Sequence, residues 1–160
     1  GCEIYSNGLR IEGSPAEGTH ARSYVALPLD PGGRATRLRR PAGIVYHSSE
    51  SQLVDFSEGQ TARLKLVGRA LVEYVREEQA YHFVIDRFGR VFRTVEETDA
   101  AFHAGHSVWA DREWIYINLN ESFLGVAFEA QSRAAAGGSG LTAAQIHAGR
   151  VLTDMLRARY

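Results

Sequence analysis

Between Ala42 and Arg93 the apolar residues change period twice, and this constrains the fold more than any other feature of the chain. Ala42 to His47 is a compact apolar run of strand-forming residues, suited to a central strand. From Glu58 to Gln79 the period becomes helical. Leu64, Val67, Leu71, Tyr74 and Val75 recur on one face, while Lys65, Arg69, Arg76 and Glu77 lie off it. Residues 80–87 and 90–95 then read as a hairpin, with Gly89 supplying the positive φ its turn wants. An amphipathic helix between strands must bury its apolar stripe against their sheet.

The rest of the chain extends this plan. Phe123 to Ala130 is another apolar strand, followed by a small-residue loop from Ala134 to Gly140. Thr142 with Gln145 three residues later forms a capping box, and Ile146, Val151, Leu152, Met155 and Leu156 give the last helix its apolar side. The order β-α-β-β-β-α predicts an α/β domain, a mixed central sheet flanked by helices, over residues 41–160. Residues 1–40 are rich in Gly, Pro, Ser and Arg. They read as an extended N-terminal arm with at most one edge strand, around Ser23 to Leu27.

Bulk properties exclude several classes. A chain of 160 residues suffices for one domain with its own core. The formal charge of -1 lacks the concentrated basic face of a nucleic-acid binder. The cluster Arg34, Arg37, Arg39 and Arg40 reads as a solvated loop. A single cysteine, Cys2, rules out a disulfide framework or a thiolate zinc knuckle. No apolar run is long enough for a membrane helix. The opening Gly1-Cys2 leaves two readings: a cloning remnant before a native cysteine, or Cys2 as the acylated first residue of a mature bacterial lipoprotein. Both imply a signal peptide upstream.

Six histidines occur, and an isolated histidine is more often a surface or satisfied core residue than a ligand. His47 stands out because it ends an apolar strand before the polar Ser48-Ser49-Glu50-Ser51. Sites commonly sit where strands give way to loops. His103 precedes Ala104-Gly105, which leaves the approach to its imidazole open. Strand alternation puts Tyr81 and His82 on opposite faces: with Tyr81 towards a site, His82 faces away and is structural. His106 is either a rim group that contacts substrate or solvated. His20 and His147 read as bland.

Taken in order, these segments resemble the zinc-dependent N-acetylmuramoyl-L-alanine amidases, which share a fold with peptidoglycan recognition proteins. Ile44-Val45-Tyr46-His47-Ser48 looks like the family's first-ligand strand. Tyr81-His82-Phe83-Val84-Ile85-Asp86 with Gly89 looks like its hairpin, and Phe102-His103-Ala104-Gly105 like its second-ligand loop. Asn120 to Val126 looks like the strand lining the site, and Leu141 to Gln145 like the start of the final helix. The resemblance implies Zn²⁺ held by His47 and His103, with Tyr81 beside the metal-bound water or the oxyanion. It also implies cleavage of the amide between N-acetylmuramic acid and L-alanine in peptidoglycan, in the cell envelope, with Cys2 a lipid anchor on the lipoprotein reading.

Two departures qualify this. The family's third zinc ligand lies beyond the final helix, so a closing strand and ligand loop are expected after Tyr160. One branch of the family carries a glutamate where this chain has Ala127. Glu129, two residues on and on the same face by strand periodicity, is the candidate general base in its place. Trp109 and Trp114 are candidates for a sugar or peptide rim, or for the core. The rival reading is a module of the same fold that binds muropeptides without cutting them.

Overall fold

The computed structural model describes residues 1–133 and 140–160. The loop expected from Ala134 to Gly140 lies almost wholly outside the described residues. The elements run β1 (Cys2–Ile4), β2 (Arg10–Glu12), β3 (Tyr24–Pro28), β4 (Thr36–Leu38) and β5 (Gly43–Ser48). Then come α1 (Thr61–Glu78), β6 (Phe83–Ile85), β7 (Val91–Arg93), β8 (Val108–Ala110) and β9 (Trp114–Ile117). A single turn α2 (Leu119–Ser122), β10 (Phe123–Phe128) and α3 (Ala143–Arg159) complete the chain. The expected α/β fold, a mixed sheet with helices on its faces, is the one observed.

The main sheet has the order β1-β2-β7-β6-β10-β5. Strands β5, β10 and β6 run parallel, and β7 turns back antiparallel on β6. The register places His47 beside Ala127, and Ala127 beside Val84, so these three side chains share one face of the sheet. Val84 packs on that face against Leu71, Val72 and Val75 of α1. The opposite face buries Phe83, Ile85, Leu124 and Val126 under Ala148, Leu152 and Leu156 of α3. Phe83, Val84 and Ile85 are each at 0% exposure, and burying such side chains stabilises by about 1.5–3 kcal/mol apiece. Helix α1 and His47 therefore occupy the same side.

The capping box of α3 forms as expected, Thr142 accepting from the Gln145 N–H while the Gln145 side chain accepts from the Thr142 N–H. Gln145 is also fully buried, and its Nε2 donates to the carbonyls of Ile85 and Glu129. One residue thus caps the helix and pins it to the ends of β6 and β10. Gly89 has φ 78° and lies against the Ala144 carbonyl, so the hairpin turn is also the seat of α3.

Four expectations are corrected. The strand ending in His47 is not central: β5 is the outermost strand of the main sheet. The stretch expected to be an arm carries four strands. β1 and β2 extend the main sheet, while β3 and β4 build a second, antiparallel sheet of order β4-β3-β9-β8. This sheet was not foreseen, because strands of three to five residues give too few alternations to be read. The buried stripe of α1 is Leu64, Gly68, Leu71, Val72 and Val75, with Tyr74 61% exposed; the small Gly68 carries the contact instead. Ile146, expected on the apolar side of α3, is 42% exposed.

Candidate active site

Two imidazoles from distant segments meet at the α1 side of the main sheet. His47 Nε2 lies 3.1 Å from His103 Nδ1, and the rings stand edge to face with centroids 5.3 Å apart. His47 is delivered by β5. His103 sits in the loop after the hairpin, where the Asn120 side-chain oxygen accepts from the N–H groups of His103 (2.8 Å) and Ala104 (2.7 Å). Its ring rests on Gly125 of β10, where an added Cβ would stand 2.5 Å from the His103 Cγ. An isolated glycine in an apolar strand is the sign of such a close approach, and this was the one available clue to Gly125.

The protonation of His103 is set by its far edge. Nε2 lies 3.0 Å from the Phe123 carbonyl oxygen, an acceptor only, so Nε2 carries the proton and Nδ1 presents its lone pair to His47. Burial, opposed in part by that carbonyl, lowers the His103 pKa to about 4. Burial lowers that of His47 as well. Both rings are therefore neutral near pH 7 and able to donate lone pairs.

Nitrogens about 2.0–2.1 Å from one tetrahedral zinc stand about 3.3 Å apart, close to the observed 3.1 Å. The donor types and spacing fit two ligands of such an ion. Among the described residues no cluster of three or more His, Cys, Asp or Glu is placed to hold a metal.

Tyr81 joins the pair, its ring centroid 5.1 Å from that of His47. Burial above all, with a smaller effect from Tyr74 and Glu50, raises its hydroxyl pKa, which keeps it a hydrogen-bond donor. Its carbonyl accepts from Thr94 Oγ1 at 2.8 Å, which fixes the backbone there.

His82 does not face away. The regular strand begins only at Phe83, so alternation does not govern residues 81 and 82. The His82 ring is fully buried with its centroid 5.7 Å from that of His103. Its Nδ1 accepts from the Gly125 N–H (2.9 Å), and its Nε2 donates to the Asp99 carbonyl (3.0 Å). Burial, reinforced by Arg22, holds its pKa well below the ordinary value.

The other anticipated site residues lie apart. Glu129 is 2% exposed, and its carboxylate accepts from the Arg87 N–H beneath Gly68 of α1. Burial raises its pKa, and no hydrogen bond joins it to His47, Tyr81 or His103 among the described residues. His106 is exposed, and Trp109 on β8 is 56% exposed. Trp114 packs with Tyr24, Tyr116 and Phe123 beneath the second sheet. Sequence reasoning missed Arg22, Asp99, Asn120 and Gly125. Apart from the glycine, these act through backbone groups far away in sequence, which leaves no local pattern.

A family model described as N-acetylmuramoyl-L-alanine amidase matches residues 37–160. No curated protein matches the chain in sequence. Several solved structures share its fold. A crystal structure of a selenomethionine derivative of AmpD aligns with TM-score 0.54 at 20% identity, over 95% of this chain and 75% of that one. The N-acetylmuramyl-L-alanine amidase AmiD from E. coli was solved in complex with anhydro-N-acetylmuramic acid-L-Ala-D-gamma-Glu-L-Lys. It aligns with TM-score 0.53 at 18% identity, over 98% of this chain and 52% of that one. AmpDh3 from Pseudomonas aeruginosa, in complex with anhydromuramic pentapeptide, gives TM-score 0.53 at 24% identity over 82% and 48%. The chain thus spans about half the length of the last two.

Proposed function

Because this chain belongs to the N-acetylmuramoyl-L-alanine amidase family, we propose that it hydrolyses the amide between N-acetylmuramic acid and L-alanine in peptidoglycan or its fragments, using Zn²⁺ held by His47 and His103. The observation that carries the reading is the 3.1 Å approach of His47 Nε2 to His103 Nδ1 with Tyr81 alongside. The muropeptides bound by AmiD and AmpDh3 support the substrate class.

In this reading His103 is oriented before any ion arrives, since the Phe123 carbonyl holds its Nε2 proton and leaves Nδ1 free. His47 brings the second lone pair from the strand edge. When bound, Zn²⁺ supplies Lewis acidity towards the scissile carbonyl and lowers the pKa of a water to about 7. Tyr81 donates a hydrogen bond from its hydroxyl to the oxygen that gains charge as the amide is attacked. Glu129, the expected general base, is buried with its carboxylate engaged by the Arg87 N–H, so the part of general base is not assigned to it here. Exposed His106 and Trp109 are proposed contacts for sugar or peptide at the rim. The proposed place of work is the cell envelope, with Cys2 as a lipid anchor.

One observation favours a second reading. Only two clustered donors occur among the described residues, which suits a module that grips muropeptides without cutting them. Incubating the Zn²⁺-loaded protein with sacculi and anhydromuropeptides, and weighing the products by mass spectrometry, separates the two. Release of intact stem peptide beginning with L-alanine supports the amidase. Stoichiometric zinc without release, together with saturable muropeptide binding, would select the binding module.

A further inference from the structure

Strand register lines up Glu12, Phe92, Val84, Ala127 and His47 in one row across the α1 face of the main sheet. Helix α1 lies over the middle of that row, on Val84, and so divides the face in two. His47 and Tyr81 stand on one side of the helix. On the other side is a cleft of about 340 Å³, floored by Val72 and Phe92 and lined by Arg69, Arg76 and Arg90. Three strand spacings of about 4.8 Å, about 14 Å in all, separate Phe92 from His47. The cleft is therefore distinct from the site described above.

Its cations are only partly matched. Among the described residues Arg69 has no ion-pair partner, and Arg76 has only the exposed Glu73, at 3.4 Å. The Arg76 Nε is buried with no hydrogen-bond partner among them. Arg90 donates its Nε to Asp86 (2.6 Å), and its guanidinium lies 5.5 Å from the ring centroids of both Phe88 and Phe92. A fourth guanidinium, that of Arg93, is spent on Glu3 and Glu97. Guanidinium forks bind carboxylates through paired, charge-assisted hydrogen bonds. Two carboxylates also line the cleft, Glu12, held by Arg10 at 2.7 Å, and Glu73. They disfavour a doubly charged phosphate and suit a ligand that carries an ammonium group beside its carboxylates. Cavities of about 300–1,000 Å³ take organic molecules rather than lone ions, and the Val72 and Phe92 floor offers apolar surface to small side chains such as alanine.

We propose that this cleft binds a second stem peptide of the same wall polymer through its free carboxylates, and so holds the protein on peptidoglycan while the His47 side acts on another stem. The inference rests on the muropeptide reading above, which supplies the ligand: a γ-linked glutamate leaves its α-carboxylate free, and a lysine adds an ammonium group. In ¹H–¹⁵N spectra, the sugar-free peptide L-Ala-D-γ-Glu-L-Lys should shift the amides of Val72, Arg76 and Phe92 saturably, and more than inorganic phosphate at equal concentration. Arg69→Gln combined with Arg76→Gln should abolish these shifts. The same variant should weaken retention on teichoic-acid-free sacculi, measured by co-sedimentation, by about tenfold, the scale of losing charge-assisted hydrogen bonds. Its turnover of a soluble anhydromuropeptide with a single stem should stay at the wild-type rate. Arg63→Gln combined with Lys65→Gln removes the same charge from α1 outside the cleft and should leave retention unchanged. Should the double arginine variant fail to fold, Arg69→Gln alone, on the exposed side of α1, is read in the same way. Shifts confined to residues around His47, equal shifts with phosphate, or equal loss of retention from the Arg63 and Lys65 variant would overturn the proposal. A wild-type protein that releases no stem peptide would overturn the amidase reading instead, and the peptide titration would still decide the cleft.

Discussion

Gly125 and His103 touch so closely that the strand has no room for a side chain beneath the imidazole. A β-carbon at Gly125 would lie 2.5 Å from Cγ and 2.9 Å from Nδ1 of His103. The Phe123 carbonyl at Nε2 and the Asn120 side chain at the His103 main-chain N–H hold the residue in place as well, so the ring cannot simply retreat. Gly125→Ala is therefore expected to lower stability by about 1–3 kcal/mol, as overpacking does, and to break the His47–His103 approach. Urea unfolding and zinc stoichiometry measure the two effects. A stable variant with full zinc would show that the ring is free to move.

The ligand assignment is tested by His47→Ala and His103→Ala. Each is expected to abolish stoichiometric zinc and amide hydrolysis, while His147→Ala, on the exposed side of α3, should alter neither. Metal analysis of the dialysed proteins is the direct check. Full zinc in His103→Ala would remove that residue from the site.

Tyr81→Phe keeps the ring against His47 and deletes only the hydroxyl. Zinc content should stay at the wild-type level, and kcat should fall on the order of a hundredfold or more, the usual cost of losing one donor to a developing oxyanion. Wild-type kcat in this variant would show that the hydroxyl is a bystander.

The buried imidazole makes the metal-free protein sensitive to acid. His103 has a folded pKa of about 4 against about 6.5 for an unfolded histidine, so the unfolded chain takes up the proton first as pH falls. Stability is full above about pH 6.5, declines down to about pH 4, and is level below that, with a total loss of about 3 kcal/mol at most. His47 and His82 are shifted in the same direction. The difference between wild type and His103→Gln in urea unfolding, taken at pH 7.5 and pH 5, isolates the contribution. A difference that is flat or reversed between those two pH values would contradict the assignment of a buried, neutral ring.

Asn120 carries the His103 loop on a single oxygen that accepts two backbone N–H groups. Asn120→Ala strands both donors and should cost about 1–3 kcal/mol. Faster amide exchange at His103 and Ala104 should accompany the loss, while exchange in α3 stays at its wild-type rate. Unaltered exchange at these two amides would mean that water replaces the asparagine without loss.

Much of this arrangement was legible in residue order. The periods of residues 42–95 predicted β5, α1 and the hairpin, because each pattern follows from the local geometry of strand or helix. Thr142 and Gln145 announced the start of α3, since a capping box is closed by neighbours three residues apart. His47, Tyr81 and His103 were singled out by segments that resemble the amidases, and the structure brings those three together.

The remainder was decided only by folding. No local pattern shows that β5 lies at the sheet edge, because strand order depends on which distant segments pair. Nor does one show that residues 1–40 supply four strands and a buried arginine. Alternation failed at His82 because that residue precedes the regular strand, and a period has meaning only inside the element that generates it. Sequence by itself determined which residues can be ligands and which stretches are helix or strand, since those follow from side-chain chemistry and near-neighbour geometry. The carbonyl that meets His103 Nε2 and the floor under its ring were settled by tertiary structure, because each depends on backbone groups, which every residue carries alike and only the fold can aim.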